Sequence, residues 1–239
     1  SLVRALGATV VLSVQNSLRD LLLRMDPDVT VIGENETPAA FDYQCPLMSL
    51  PLAFGTTLAT IPSVPRYLWP DEQRRRHWDA RLSPRTRPRI GIAWRGNPNH
   101  QNDRDRSFGL ACFLSLLSDD IQWICLYHAI GETEADLLRR DGRIAYFGDE
   151  LEGFAETSAL FACLDLVVTV DTSFAHLAGA MGIPVWILLS HAADWRWLLD
   201  RPDTPWYPGA RLFRQPAAGD WATVIEEVRH ELRLFSARP

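Results

Sequence analysis

Two short apolar runs constrain the fold of this 239-residue chain more than any other feature of its sequence. Leu166–Val170 and Val185–Leu189 are rich in β-branched residues, which is typical of strands buried on both faces. Between them, residues 173–181 have a helical pattern, and Gly182 and Pro184 follow as stop signals. A strand, a helix and a second strand at this spacing predict a parallel β-sheet.

The turn between the first strand and the helix carries Asp171, Thr172 and Ser173. In a parallel sheet this turn lies at the carboxyl edge, where ligands bind. The start of the helix exposes N–H groups and the positive end of the helix dipole, which attract phosphate. His176 follows one turn later, within reach of an anion held there. The alternative interpretation is that Asp171 or Thr172 only caps the helix.

Strands alternate with helices on both sides of this unit. From residue 89 onwards, strands are predicted at 89–94, 122–126, 144–147, 166–170, 185–189 and 210–214. The helices predicted between and after them are 110–117, 132–140, 154–164, 173–181, 194–199 and 221–235. Upstream we predict a strand at 8–14, a helix at 15–24, a strand at 29–32, a loop-rich segment at 34–70 and a helix at 71–82. The pattern indicates an α/β fold with a doubly wound parallel sheet, and the two prolines in 83–88 mark the best linker.

Composition narrows the class of protein. The net charge of −6 provides no basic field for nonspecific binding to nucleic acid. All 24 basic residues are arginine, so a phosphate site here must use guanidinium groups, which bind phosphate bidentately. No apolar run approaches a membrane span, and the first residues lack the layout of a secretory signal. The widely spaced cysteines are expected to be reduced, mostly buried thiols of a cytoplasmic protein; they are Cys45, Cys112, Cys125 and Cys163.

A polar loop at residues 95–107 follows the strand predicted at 89–94 and leaves the sheet at the same edge as the turn at 171–173. Its sequence includes Arg104 and Arg106, which suit phosphate binding. Two polar loops at one edge favour a binding site more strongly than either loop alone. The alternative is a solvated loop whose charges pair internally.

Asp103 and Asp105 in this loop offer two carboxylates for a divalent metal ion. The neighbouring arginines can neutralise a diphosphate without a metal, so we predict no metal site. The histidines have no zinc-site spacing, and the motifs of serine hydrolases, P-loop nucleotidases and dinucleotide-dependent dehydrogenases are absent from the sequence.

A cluster of aromatic residues lies late in the chain. Trp195, Trp197, Trp206 and Tyr207 have large faces of the kind that stack on sugars or bases. The same residues can equally pack inside the protein, and the sequence leaves both interpretations open.

Four segments together resemble a known family. They are F-D-Y-Q-C-P-L-M-S-L-P-L-A-F-G-T-T-L at 41–58, W-R-G-N-P-N-H-Q-N-D-R-D-R-S-F at 94–108, L-D-L-V-V-T-V-D-T-S-F-A-H-L-A-G-A-M-G at 164–182, and D-W-R-W, W-Y-P and R-L-F-R-Q within 194–215. They are similar to the glycosyltransferase region fused behind tetratricopeptide repeats in many bacterial proteins. That region resembles the lipopolysaccharide heptosyltransferases and, more distantly, the O-linked N-acetylglucosamine transferases. The resemblance covers residues 41–221.

The D-T-S-F-A-H segment resembles the D-T-G-x-x-H signature at the donor diphosphate of heptosyltransferases. The resemblance therefore assigns diphosphate binding to Asp171, Thr172, Ser173 and His176. Ser173 stands where the relatives often have glycine, which leaves backbone donation in place but tightens the approach. Arg106 lies where those enzymes place a basic residue that faces the phosphates.

The resemblance assigns three further residues to the donor. Asn97 lies in the same loop as Arg106 and is predicted to contact the diphosphate. Glu156 and Thr157, at the start of the helix before the 166–170 strand, correspond to a region near the donor ribose and base.

The family implies a GT-B fold of two Rossmann-like domains. Residues 1–84 would be an incomplete acceptor-side domain, and residues 85–239 the nucleotide-sugar-binding domain with a closing helix. The implied reaction moves a hexosyl or heptosyl group from a nucleotide-diphosphate sugar to a hydroxyl of a glycan, lipid-linked or protein acceptor. It is inverting and uses no metal and no cofactor. The family's general base is an aspartate in a loop after the first strand, so we expect it upstream of Ser1, with Asp103 as the fallback.

Two alternative functions stay open at this point, because a fold does not determine a function. One is a nucleotide-sugar epimerase on the same fold, which would form a free sugar product without an acceptor. The other is a noncatalytic module that binds sugar nucleotides or protein partners, which would show no turnover even with upstream sequence restored.

Overall fold

Parallel strands form the framework of this protein. The computed structural model describes residues 2–99 and 103–236. The strands are β1 Val10–Ser13, β2 Val29–Ile32, β3 Arg89–Ala93, β4 Gln122–Cys125, β5 Ile144–Ala145, β6 Leu166–Val170, β7 Val185–Leu189 and β8 Ala210–Arg214. β1 and β2 pair in parallel as a small separate sheet. The other six form one parallel sheet in the order β5-β4-β3-β6-β7-β8.

Helices connect the strands and cover the large sheet. They are α1 Leu2–Ala5, α2 Asn16–Leu22, α3 Leu50–Ala53, α4 Glu72–Arg81, α5 Asp103–Arg106, α6 Leu110–Leu114, α7 Glu132–Asp141, α8 Gly153–Phe161, α9 Ser173–Ala180 and α10 Trp221–Ser236. Among the described residues, no helix is both long and apolar enough to cross a bilayer.

The large sheet has the strand order of a doubly wound nucleotide-binding fold, with the order reversing between β3 and β6. β3, β6 and β7 are buried at every position, as expected for central parallel strands whose sequences are mostly apolar. The predicted doubly wound parallel sheet is therefore confirmed, and each of its six strands lies where the pattern placed it, to within two residues at either end.

Two of the short elements that differ from the predicted pattern have a local cause in the sequence or backbone. The predicted loop at 95–107 contains the four-residue helix α5, whose Asp-Arg-Asp-Arg sequence has no apolar periodicity to reveal it. The helix predicted at 194–199 is only a 3-10 turn over Trp195–Trp197, because its capping Leu198 has a positive φ of 52° that ends the helix.

The helix α4 belongs by its contacts to the large sheet, because it packs against α8. Trp78 of α4 is 1% exposed, and its indole N–H donates to Glu156 Oε2 at 2.9 Å. Arg89, fully buried at the start of β3, donates from Nη1 to Asp79 Oδ1 at 2.7 Å. The domain division at residue 84 stays a prediction, and these bonds cross it.

The segment between β2 and α4 is loop-rich, as predicted, with α3 and short 3-10 turns at Leu47–Ser49 and Leu58–Thr60. Near the carboxyl end of this segment, the N–H groups of Tyr67 and Leu68 donate to Ala180 O of α9 at 2.9 and 3.1 Å. This attachment brings the first half of the chain against the end of α9.

The four cysteines lie within the described residues and are free thiols. Cys125 and Cys163 are buried, whereas Cys45 and Cys112 are exposed, so the expectation of mostly buried thiols holds for only half of them. Burial raises the pKa of Cys125 to about 12, so this thiol stays protonated at neutral pH.

We expect Trp78→Ala to lower the free energy of unfolding by about 3–5 kcal/mol, because it leaves a large cavity and removes a hydrogen-bond donor from Glu156. Urea denaturation of the two proteins measures this difference. The matched control is Trp195→Ala, since Trp195 is 62% exposed and its loss should cost less than about 1 kcal/mol. Equal losses in the two variants would contradict the packing of α4 on α8.

Candidate functional site

The candidate site lies where the strand order reverses. β3 and β6 are neighbours in the large sheet, with Ile90 opposite Leu166 and Ala93 opposite Thr169. From this pair the sheet continues in opposite directions, to β4 and β5 on one side and to β7 and β8 on the other. The segments that follow β3 and β6 therefore flank a crevice at the carboxyl edge of the sheet.

Arg106 connects these two segments. Its Nε donates to Asp103 Oδ1 at 3.2 Å, and its Nη1 donates to the backbone carbonyl of Asp171 at 2.9 Å. Gly96 makes this arrangement possible, because a Cβ there would lie 2.3 Å from Asp103 Oδ1 and 2.6 Å from Arg106 Nη2. The guanidinium is thus held beside the turn after β6 by a carboxylate and a carbonyl.

The start of the loop after β3 is braced from β4 and α7. The hydroxyl of Tyr127 donates to Arg95 O and accepts from Arg95 N, both at 2.6 Å. Glu134 of α7 accepts from the Trp94 indole and, at 3.2 Å, from Arg95 Nε. Burial raises the pKa of Tyr127, so the hydroxyl keeps the proton that this brace needs. These bonds leave Arg95 engaged in support of the loop.

The turn after β6 caps the helix α9 and exposes its first residue. Thr172 is the N-cap, and its Oγ1 accepts from the N–H of Phe174 at 3.3 Å. The Thr172 hydroxyl also lies 3.2 Å from that of buried Thr169. Thr172 therefore caps the helix, and whether it also contacts a ligand stays a prediction. Ser173 is exposed, and its N–H and hydroxyl lie at the positive end of the helix.

His176 lies one turn into α9 within an aromatic cluster. Its ring stacks on Trp197 with centroids 5.3 Å apart and an interplanar angle of 17°. Its Nδ1 lies 2.9 Å from the hydroxyl of Tyr207. Burial lowers the pKa of His176 below its ordinary value, and the nearby Asp171 carboxylate only partly offsets this effect. The imidazole is therefore mainly neutral at neutral pH.

The aromatic residues divide into two roles. Trp197 and Tyr207 pack inside the protein around His176, so for these two the packing interpretation is confirmed. Trp195 is exposed and meets Trp206 edge to face at 6.2 Å. Of the four aromatic residues, Trp195 is the most exposed, and the guanidinium of Arg196 lies over its ring, 5.0 Å from the centroid.

The fold brings most of the predicted diphosphate-binding residues to one edge of the sheet, where Arg106, Asp171, Thr172, Ser173 and His176 lie. Asn97 is in the loop after β3, and its Oδ1 accepts from the N–H of Asn99 at 3.0 Å in a local turn. Their contact with a diphosphate stays a prediction.

Glu156 and Thr157, the predicted nucleoside contacts, are engaged within the protein. Glu156 accepts from Trp78 Nε1 at 2.9 Å and from Arg74 Nη1 at 2.8 Å, and Thr157 Oγ1 donates to Gly153 O at 2.9 Å. Through these hydrogen bonds, Glu156 holds α4 on α8. The contact of Glu156 with a nucleoside stays a prediction.

Within residues 2–99 and 103–236, the structure contains no group of three or more His, Cys, Asp or Glu side chains arranged to hold a metal ion. Asp103, one of the two candidate ligands, is instead paired with Arg106. Independence of a metal stays a prediction.

Sequence reasoning missed residues that pack around the site and support it. Gly179 lies inside α9, where a Cβ would be 2.3 Å from the Tyr207 ring. A glycine within a helical pattern signals such a close approach, as does Gly96 in the loop after β3. No comparable signal marks Tyr127, whose partner Arg95 is 32 residues away along the chain.

Comparison with solved structures finds proteins whose fold resembles that of this chain. The chain superposes on Escherichia coli ADP-heptose lipopolysaccharide heptosyltransferase II with a TM-score of 0.53 and 16% identity, over 75% of this chain and 56% of that one. A glycosyl transferase family 9 structure from Veillonella parvula gives a TM-score of 0.43 at 11% identity, over 67% of this chain and 46% of that one. The chain thus has a mixed α/β fold similar to that of heptosyltransferase II.

Sequence comparison finds a bacterial relative of greater length. The chain is 28% identical over 213 residues to protein FlbA of Caulobacter vibrioides. This alignment covers 82% of this chain and 34% of FlbA. No family model matches the sequence. The chain spans about a third of the length of FlbA and just over half of heptosyltransferase II.

We expect Gly179→Ala to lower the free energy of unfolding, although alanine favours a helix interior by about 1 kcal/mol. The added Cβ collides with the Tyr207 ring, and such overpacking costs about 1–3 kcal/mol. The control is Gly209→Ala, where the nearest atoms to the new Cβ are 3.9 Å away and stability should change by less than about 0.5 kcal/mol. Urea denaturation measures both, and a Gly179 variant as stable as the parent would contradict the close approach of Tyr207.

Proposed function

We propose that the crevice between β3 and β6 binds the diphosphate of a nucleotide-diphosphate sugar, and that the protein transfers this sugar to an acceptor hydroxyl. The observation that carries the proposal is the guanidinium of Arg106, held by Asp103 and by the Asp171 carbonyl at the start of α9. A fixed cation beside a helix N-terminus is an arrangement suited to a diphosphate.

The donors at this edge are complementary to phosphate oxygens. Of the five N–H groups of Arg106, the bonds to Asp103 and Asp171 engage two, and the others can donate to an anion. Ser173 adds its N–H, its hydroxyl and the positive end of the α9 dipole. The carboxylate of Asp171 repels phosphate, so we assign Asp171 a positioning role through its carbonyl.

This arrangement favours the departure of a nucleoside diphosphate. In an inverting transfer, the acceptor oxygen bonds to the anomeric carbon while the bond from that carbon to the diphosphate oxygen breaks. A general base takes the proton of the acceptor hydroxyl, and the diphosphate leaves with the bonding electrons. Positive groups already in place stabilise the charge that develops on the leaving group.

Asp103, the fallback base, is better suited to hold Arg106 than to accept a proton. Its side chain is 12% exposed, and its Oδ1 already accepts from the guanidinium of Arg106. We therefore place the base elsewhere in the protein.

The similarity to a heptosyltransferase that, by its name, uses ADP-heptose supports a nucleotide-diphosphate sugar as donor. A free sugar product formed without an acceptor would favour the epimerase alternative. Donor binding without any turnover in the full-length protein would favour the noncatalytic module. Incubation of that protein with a panel of nucleotide sugars, with and without glycan and protein acceptors, separates these functions.

Arg106→Ala should weaken the binding of a nucleoside diphosphate by about 1.5–3 kcal/mol, because it removes a charge-assisted pairing from a partly desolvated site. Isothermal titration calorimetry with a panel of nucleoside diphosphates measures the loss. The matched control is Arg104→Ala on the same short helix, because Arg104 is exposed and its removal changes the net charge equally. Its effect should stay below about 0.5 kcal/mol. Equal effects of the two substitutions, or none from Arg106→Ala, would contradict the site.

Donor binding should not require a divalent metal, because Arg106 and the α9 dipole supply the positive charge. Affinities measured with excess chelator and with added manganese should agree within about twofold, which is about 0.4 kcal/mol. If chelator abolished donor binding and manganese restored it, this expectation would be wrong, and Asp103 and Asp105 would again be the candidate metal ligands.

A further inference from the structure

Two residues from separate parts of the chain contact the ring of His176. Trp197, from the turn before β8, stacks on one face of the imidazole. Tyr207 places its hydroxyl 2.9 Å from Nδ1. The imidazole is thus held between an indole face and a tyrosine hydroxyl.

The surroundings of Tyr207 are closely packed. The ring of Tyr207 lies against Gly179, where a Cβ would be only 2.3 Å from the ring. Backbone N–H bonds from Tyr67 and Leu68 to Ala180 O attach the segment before α4 to the end of α9. A Cβ at Gly182 would lie 2.5 Å from Pro65 O, so this attachment also depends on a close approach.

The protonation of the cluster limits the possible hydrogen-bond directions. Burial lowers the pKa of His176 and raises that of Tyr207, so both groups are mainly neutral near neutral pH. The charged residues that act on His176 are Asp171, Asp194 and Arg196, whose effects oppose one another. A neutral imidazole carries one proton, on either Nδ1 or Nε2. The partner of Nδ1 decides which tautomer is favoured.

Only one direction of the hydrogen bond between Tyr207 and His176 suits a bound anion. If Nδ1 carried the proton and donated to Tyr207, Nε2 would present a lone pair to the phosphates. If Tyr207 donates to Nδ1, the proton lies on Nε2. An Nε2–H group can donate to an anion at the start of α9 while the imidazole stays neutral.

We propose that Tyr207 is a positioning residue that donates its hydroxyl hydrogen bond to Nδ1 of His176 and so keeps the proton of the imidazole on Nε2. The inference rests on the proposed diphosphate site, which it deepens by defining how a neutral histidine serves as a donor. Tyr207 acts through His176 and has no contact of its own with the ligand.

The first test is nitrogen-15 NMR of the ring nitrogens of His176 in the free protein near pH 7.5. We expect an unprotonated, hydrogen-bonded signal for Nδ1 and a protonated signal for Nε2. In Tyr207→Phe, which keeps the ring and removes only the hydroxyl, the Nδ1 signal should move towards that of a nitrogen without a donor. A protonated Nδ1 in the parent protein, or an unchanged spectrum in the variant, would overturn the proposal.

The second test is a double-mutant cycle on nucleoside diphosphate affinity. Tyr207→Phe should weaken binding by about 3- to 10-fold, the effect of one neutral hydrogen bond. In a His176→Ala background the same substitution should have no further effect, because Tyr207 acts only through the imidazole. Tyr43→Phe, at a residue that is 94% exposed, is the matched control and should change nothing. Equal losses in both backgrounds would show an independent role for Tyr207 and overturn the inference.

The two tests separate this inference from the proposed function. If the parent protein bound no nucleoside diphosphate, the proposed function would fail, and the NMR arm would still decide the tautomer. If Arg106→Ala weakened binding but Tyr207→Phe did not, the diphosphate site would stand and the role of Tyr207 would be rejected.

Discussion

The pairing of β3 with β6 is the contact on which the candidate site depends. The two strands lie side by side in the sheet, and the strands that follow them extend in opposite directions. The loop after β3 and the turn after β6 therefore flank the same crevice at the carboxyl edge. Arg106 lies between them and bonds to both sides. Without this pairing, the loop and the turn would be two unrelated polar segments.

The protein's own groups hold the residues of the candidate site in place. The Arg106 guanidinium is paired with Asp103 and with the Asp171 carbonyl. Thr172, the residue after Asp171, caps the helix α9. A partly buried guanidinium needs such partners, because an unpaired buried charge is costly. The same partners fix its position, so little reorganisation is needed when an anion arrives. In enzymes, this kind of preorganisation accounts for much of the stabilisation of developing charge.

Two glycines show how closely the segments around the site approach one another. At Gly96, the space of a Cβ is filled by Asp103 and Arg106, and at Gly179 it is filled by the ring of Tyr207. In both places a side chain from another part of the chain takes the room that a side chain on the glycine would need. The crevice is therefore built by close tertiary packing of several segments and not by one loop alone.

The sequence by itself determined the order and type of the main elements, because their signals are local. Apolar runs such as Leu166–Val170 and Val185–Leu189 predict buried parallel strands, and parallel strands place the residues after them at one edge. The strand pattern alone therefore predicts that Arg106 and the turn after β6 share this edge. Only the tertiary structure decided which polar groups are already engaged, since their partners are distant in the sequence. Glu156 bonds to Trp78, 78 residues away, and His176 to Tyr207, 31 residues away. Local periodicity does not predict such pairs, because the two residues meet only when the helices and loops of the fold pack together.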